Sequence, residues 1–441
     1  MTFDQLNISK PLLNALNDLG FDHPTPIQAQ IFPVIMSGKD VVGIAQTGTG
    51  KTFAYLLPLL RQLKYSEQQH PRILILVPTR ELVLQVADEI GKLTAYMSIR
   101  VTGIYGGVNI NTQKTAVFKG LDILVATPGR LLDLALNGVL RFKTIQTLVI
   151  DEMDEMLTLG FRSQLTRIMD LLPPKRQNLL FSATNSPDIE TLIATFFNHP
   201  VKIEIAASGT PLLQIIQKGY KVPNFHTKIN FLTYLLKDKT AFNKVLVFVS
   251  TKKIADMVYE LLKPKFIGEI DVMHANKSQN YRLNAIKFFD EGEFRILIAT
   301  DIIARGLDIK DISHVINFDI PQEPEDYMHR IGRTGRAQKA GDSITFIMDS
   351  DQGYQKAIEK LMATNIPMEV MPEEVVISKL LLEEELPQKP EKDYLKDVRK
   401  KVVKSTAFQQ KSAKNSKVNL GGSYKRTIKA KYKKPKSKGN N

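Results

Sequence analysis

Short apolar runs rich in Val, Ile and Leu recur along the chain between stretches of helical periodicity. The first series is DVVGI from Asp40, ILILV from Ile73, DILVAT from Asp122, TLVIDE from Thr147 and NLLFSAT from Asn178. Runs of this kind alternating with helices predict a parallel sheet covered by helices on both faces. A second series repeats the pattern: KVLVFVS from Lys244, IDVMHA from Ile270, RILIAT from Arg295, HVINFD from His314 and SITFIM from Ser343. It lacks a second phosphate-binding lysine motif. The pattern predicts an α/β protein of two similar domains, residues 1–207 and 208–370, joined where AASGTP at 206–211 interrupts both periodicities. After about Pro372 the chain turns acidic, and beyond Pro387 it becomes Lys-rich with few aliphatics. Residues 371–441 are therefore expected to be an acidic linker and a disordered tail, too poor in apolar surface to offset the entropy of ordering.

Charge changes this picture by where it lies. The formal net charge is +14, yet residues 388–441 alone hold 18 basic against 3 acidic side chains, so the remaining body is close to neutral. A neutral body with a basic appendage implies local recognition in the body and long-range attraction from the tail. The tail, with Tyr424 and Tyr432 among its Lys and Arg, reads as a nonspecific nucleic-acid tether, with a solubilising appendage as the alternative. The chain has no Cys, which excludes disulfides, Cys-ligated zinc and thiol catalysis. Residues 1–11 lack the order of a signal peptide and no apolar run approaches membrane-spanning length, so a cytoplasmic protein is expected.

The strongest chemical signal is AQTGTGKT at 45–52, placed between a strand and a helix as a phosphate loop requires. Its residues Ala45, Gln46, Thr47, Gly48, Thr49, Gly50, Lys51 and Thr52 are the candidate nucleotide cradle. Gly48 and Gly50 let backbone amides approach a β-phosphate. Lys51 would reach the β and γ oxygens, and Thr52 would ligate Mg²⁺ at a helix N-terminus. The usual leading Gly is Ala45 here, which leaves the cradle intact. LVIDE at 148–152 ends a strand in two carboxylates: Asp151 to hold Mg²⁺ and Glu152 to orient and deprotonate the attacking water. HRIGRTGR at 329–336 supplies three Arg within seven residues of the second domain, able to act on a γ-phosphate only if the domains close.

Taken together these motifs make the chain resemble a DEAD-box RNA helicase from about Phe3 to Ile366. The resemblance implies two tandem RecA-like domains and an RNA-stimulated, ATP-dependent helicase using ATP and Mg²⁺. Phe3, sixteen residues, then GFDHPTPIQ at 20–28 resembles the family's Q motif, in which Phe3 would stack on adenine and Gln28 read its edge. RNA contacts are implied for Pro78, Thr79 and Arg80, for Gly107, and for Thr127, Gly129 and Arg130. In the second domain they are implied for Thr251, Gln279, Arg282, Thr300 and Gly306. Asp308 would meet the ATP ribose. Ser182 and Thr184 would couple hydrolysis to strand separation, His329 and Arg330 would support the domain interface, and Arg333 and Arg336 would be the arginine fingers. The implied partner is RNA, single-stranded or short duplex, in ribosomal or messenger ribonucleoproteins, with no membrane and no stable DNA binding.

Where the family spells Asp-Glu-Ala-Asp, this chain has Asp151, Glu152, Met153 and Asp154. Met153 reads as core filler without kinetic effect. Two other readings stay open at this level: an ATP-gated RNA clamp that hydrolyses slowly, and a DNA-remodelling ATPase. His274 and the 13 Met residues read as structural.

Overall fold

The computed structural model describes residues 1–46, 48–205, 215–301, 309, 311–335 and 341–386. Thr47, Gly306, Asp308, Arg336, the 206–211 junction and the 388–441 tail, each given a role above, lie outside them.

Among the described residues, fourteen strands form two sheets. The first holds β1 (Val41–Ile44), β2 (Ile73–Leu76), β3 (Val101–Ile104), β4 (Ile123–Ala126), β5 (Thr147–Ile150), β6 (Gln177–Ser182) and β7 (Val201–Glu204). The second holds β8 (Ile215–Lys221), β9 (Val245–Val249), β10 (Ile270–Met273), β11 (Ile296–Thr300), β12 (His314–Asn317), β13 (Gly341–Ile347) and β14 (Met368–Glu369). Their orders are β3-β4-β2-β5-β6-β1-β7 and β10-β11-β9-β12-β13-β8-β14. Adding seven to each strand of the first order yields the second, and every described pairing is parallel. The two bodies are thus topological copies, as two tandem RecA-like domains should be.

Strand alternation explains the layers. In β2, Ile73 and Ile75 enter one core with Val41, Val125, Val149 and Phe181, while Leu74 and Leu76 enter another with Val42, Leu124, Leu148 and Leu180. The second sheet divides likewise, with Val245, Val247 and Val249 on one face and Leu246 and Phe248 on the other. Each fully buried aliphatic of this kind contributes roughly 1.5–3 kcal/mol. The covering helices follow the same logic. Arg80–Leu93 is capped by Thr79, whose Oγ1 accepts the Leu82 N–H at 3.3 Å, and it buries Val83, Val86, Ile90 and Leu93 along one face.

The second body does not stop at the expected residue 370. Val375 is buried in its core, Asn224 donates to the Ser378 carbonyl at 2.7 Å, and Ser378 N–H donates to Thr227 Oγ1 at 3.0 Å. A strap that supplies apolar side chains and backbone partners to the helix Phe225–Leu235 belongs with that body through this stretch. Residues Met1–Glu384 form one compact unit. Among the described residues, no helix is long and apolar enough to cross a membrane.

Met153 is 1% exposed and packs in the first body's core with Met156, Leu165 and Ile168. Met153→Ala removes buried methylenes and leaves a cavity, so it should cost about 2–5 kcal/mol in chemical denaturation. Turnover of ATP should stay within tenfold of wild type, because the side chain points into the core.

Candidate functional site

In a parallel sheet, ligands gather beyond the carboxyl ends of the strands, and here each candidate motif follows such an end. The phosphate loop follows β1, Asp151 and Glu152 follow β5, and Ser182 closes β6. These strands are neighbours. The segments assigned to RNA follow β2 (Pro78 to Arg80), β3 (Gly107) and β4 (Thr127 to Arg130), the other three neighbours. The second sheet repeats the division. Thr251 follows β9, Gln279 and Arg282 follow β10 and Thr300 ends β11, whereas His329 and Arg333 follow β12. One sheet half carries the candidate nucleotide residues and the other the candidate RNA residues, in both bodies.

On the nucleotide side, Gly48 and Gly50 adopt φ of +81° and +89°, a region that favours glycine. A Cβ on Gly50 would come within 2.5 Å of Gln28 Nε2. Gln28 itself is buried. Its Oε1 accepts the Thr25 N–H at 2.9 Å and its Nε2 donates to the Gly50 carbonyl at 3.2 Å, tying the Q segment to the phosphate loop. Ala45 extends the β1 ladder by donating its N–H to the Ser182 carbonyl at 3.0 Å, and Thr49 Oγ1 donates to the Gln46 carbonyl at 2.8 Å. Lys51 opens the helix Lys51–Gln62; its Nζ is buried with no hydrogen-bond partner among the described residues. Asp151 accepts from Tyr55 Oη at 2.9 Å and from the Glu152 N–H at 2.9 Å. Burial pushes its carboxyl up to about 6 against the pull of Lys51, with Glu152 adding repulsion. An unpartnered buried ammonium beside two carboxylates and a helix N-terminus fits a magnesium-bound polyphosphate.

That raised pKa has a measurable consequence. A carboxyl whose folded pKa exceeds its unfolded value contributes stability below the unfolded pKa and loses it as pH rises through about 6. In nucleotide-free, magnesium-free protein, Asp151→Asn should therefore be more stable than wild type at pH 8, by on the order of 2 kcal/mol. The advantage should shrink toward pH 4. Denaturant unfolding at both pH values checks it.

Asp154 is the hub of the cleft. Its Oδ2 accepts the N–H groups of Ala183 and Thr184 at 3.1 and 3.2 Å and the Thr184 hydroxyl at 3.3 Å, and it lies 3.6 Å from His329 Nε2. Burial opposes its ionisation, but His329, Lys51 and Ser182 hold its carboxyl well below the usual range. Lys51, Glu152, Asp154, Glu155 and Ala183 from the first body line one cleft with His329 and Arg333 from the second. Arg333 Nε donates to the His329 carbonyl at 3.2 Å, which fixes its place there. Arg330 differs from the expected interface role. It is buried within the second body, bonding Asp301 through Nη2 at 2.7 Å and the Asp319 carbonyl at 2.6 Å, with its guanidinium over the Phe248 ring. Adjacent helix positions diverge by about 100°, so His329 faces the cleft while Arg330 faces the sheet.

On the other side, Arg80 Nη1 donates to Gln279 Oε1 at 3.3 Å, Gln279 Nε2 donates to Glu81 Oε1 at 3.2 Å, and Arg282 Nη2 pairs with the same Glu81 oxygen at 3.1 Å. Arg282 Nη2 also donates to Gln279 Oε1. Glu81 is buried, and through Gln279 and Arg282 it joins the three residues expected to touch RNA in a bridge between the bodies. Gly107, at φ +81°, lets Arg80 pass: a Cβ there would lie 1.9 Å from Arg80 Nη1. Arg130 Nη1 donates to Gln113 Oε1 at 2.7 Å and Nη2 to the Val108 carbonyl at 3.0 Å, while Gln113 Nε2 donates to the Tyr105 carbonyl at 3.2 Å. The pair clamps the 105–108 loop. Thr251 Oγ1 caps its helix by accepting the Ile254 N–H at 3.2 Å, and Thr127 is the N-cap residue of Pro128–Leu136.

Phe3 departs from its expected place. It is 4% exposed and packs with Leu6 and Ile31 in the core. Leu6 and Ile8, set between polar residues after it, are buried in the same core. Phe21, in the same Q segment, is 45% exposed and stands edge-to-face on Phe53 at 5.3 Å, two residues from Lys51.

Two RecA-like bodies that assemble one phosphate-binding cleft from both partners define a nucleotide-hydrolysing motor of the helicase type. The DEAD/DEAH box helicase family model matches residues 25–192, and the helicase conserved C-terminal domain model matches 227–338. DEAD-box ATP-dependent RNA helicase CshA of Geobacillus kaustophilus (strain HTA426) is 40% identical over 359 residues, 81% of this chain and 76% of that protein. CshA of Bacillus subtilis (strain 168) is 40% identical over 82% of this chain and 72% of that protein. Among solved structures, S. cerevisiae Dbp5 bound to RNA and ADP BeF3 matches with a TM-score of 0.76 and 29% identity, covering 84% of this chain and 95% of that one. Mss116p bound to ssRNA and AMP-PNP matches with a TM-score of 0.78 and 27% identity, covering 84% and 80%. The chain belongs to the DEAD-box ATP-dependent RNA helicases.

Proposed function

We propose that this helicase separates short RNA duplexes locally, through a hydrolytic centre completed only when its two RecA-like bodies meet. The observation that carries this is the cleft holding Lys51 and Glu152 of the first body against His329 and Arg333 of the second. Backbone amides of Gln46 to Thr52, with Gly48 and Gly50 at its bends, cradle the phosphates, and Lys51 neutralises the β and γ oxygens. Thr52 and Asp151 hold magnesium, which supplies charge neutralisation at the phosphates when bound. Glu152 takes the proton of the attacking water, and Arg333, with Arg336 beyond the described residues, stabilises charge on the transferring phosphoryl group. Gln28 keeps one N–H and one lone pair uncommitted among the described residues, enough to read an adenine edge, and Phe21 offers the stacking face.

Helix starts at Thr79, Thr127 and Thr251, the loop at Gly107, and Gly129 and Thr300 grip the RNA backbone, with Pro78 shaping the first turn. The bridge from Arg80 and Glu81 to Gln279 and Arg282 registers the two RNA-facing halves. Asp154, touching Thr184 and His329, transmits closure between hydrolysis and RNA. The basic segment 388–441 adds long-range attraction for RNA phosphates. The proposed place of work is the cytoplasm.

Strand displacement tests the reading. Duplexes of roughly one helical turn should separate in an ATP-dependent way while long duplexes of equal end structure resist. Equal rates on both would point to translocation and overturn the local mechanism.

A further inference from the structure

The helix Lys51–Gln62 carries one buried hydroxyl that the roles above leave unused. Tyr55 is fully buried, its ring centroid 5.1 Å from that of Phe181. A Phe ring would fill that space equally well, so packing does not require the oxygen. A buried hydroxyl costs about 1–3 kcal/mol when left without a hydrogen bond. Here it donates to Asp151 Oδ2 at 2.9 Å. Asp151 is one of the two residues assigned above to magnesium, and the inference rests on that assignment.

We propose that Tyr55 is a positioning residue for the magnesium site, its hydroxyl orienting Asp151 so that the carboxylate presents its remaining lone pairs toward the cation. Each carboxylate oxygen has two lone pairs. The Tyr55 hydroxyl donates to Asp151 Oδ2 at 2.9 Å, while Asp151 Oδ1 takes the Glu152 N–H at 2.9 Å. Both carboxylate oxygens are thus oriented, and each retains a lone pair. Residues that orient metal ligands without touching the metal commonly govern its affinity by about 10–100-fold.

Binding of a fluorescent ADP analogue to full-length wild type and Tyr55→Phe, in EDTA and across a magnesium titration, tests the proposal. Wild type should bind more tightly as magnesium rises; no such increment would overturn the magnesium assignment and the proposal with it. Tyr55→Phe should match wild type in EDTA, which also reports an intact fold, but need about 10-fold more magnesium for half of the increment. An unchanged midpoint, with the wild-type increment present, would reject Tyr55 alone. ATP hydrolysis at saturating RNA adds a second readout: excess magnesium should restore the rate of Tyr55→Phe. A deficit that magnesium does not restore contradicts the proposal.

Discussion

Glu152→Gln should lower RNA-stimulated ATP hydrolysis by about 10²–10⁴ while leaving nucleotide-dependent retention of RNA intact. Glu152 stands at φ +51°, a conformation uncommon for a residue with a side chain, at the N-cap of the helix Met153–Thr158. Such strain at a cleft is kept when the surroundings over-determine it. Its backbone N–H is held by Asp151 Oδ1 at 2.9 Å, so the amide variant keeps the same backbone anchor and the same shape. What it loses is the capacity to accept a proton. The cleft of Lys51, Asp154, His329 and Arg333 remains, so closure on nucleotide and RNA remains with it. Parallel loss of RNA retention would show that Glu152 serves the fold or closure rather than the proton transfer.

Arg333→Ala should reduce RNA-stimulated turnover by about 10³, with nucleotide affinity nearly unchanged in the absence of RNA. Arg333 is 3% exposed in a cleft whose other side supplies Lys51 and Glu152. Its guanidinium is aimed by the bond from Nε to the His329 carbonyl, 3.2 Å long and local to one helix turn. Removing it leaves the first body's cradle untouched, so binding of nucleotide in the open state persists while stabilisation of the transferring phosphoryl group is lost. Arg333→Lys should not restore the rate, since an ammonium lacks the planar fork that meets two phosphate oxygens together. Equal losses in nucleotide affinity and turnover would place Arg333 in ground-state binding instead.

The interior of each sheet was legible in the chain, and its margins were not. Strands β2, β4 and β9 are buried on both faces and read as unbroken apolar runs. By contrast β7 alternates half-buried and exposed residues and β14 is two exposed residues long, because edge strands meet water. Strand β8 pairs between β13 and β14 with a mostly polar sequence, IIQKGYK, which periodicity alone does not mark.

The site divides in the same way. The phosphate loop and the Asp151–Glu152 pair are local in sequence and could be read directly. Glu81, Gln113 and Tyr55 could not, because their meaning lies in partners far along the chain: Glu81 meets Gln279, 198 residues away, and Tyr55 meets Asp151, 96 residues away. Phe3 shows the opposite case. The family resemblance assigned it to adenine, yet its ring lies in the core with Leu6 and Ile8, while Phe21 keeps an exposed face.

The central claim is that RNA completes the cleft in which ATP is hydrolysed. Steady-state ATP hydrolysis by the full-length chain without nucleic acid, with single-stranded RNA and with DNA of matched sequence tests it most directly, Glu152→Gln serving as the blank. Strong stimulation by RNA, little by DNA and none in the blank is the predicted result. Stimulation by DNA equal to that by RNA, or hydrolysis indifferent to both, would contradict it.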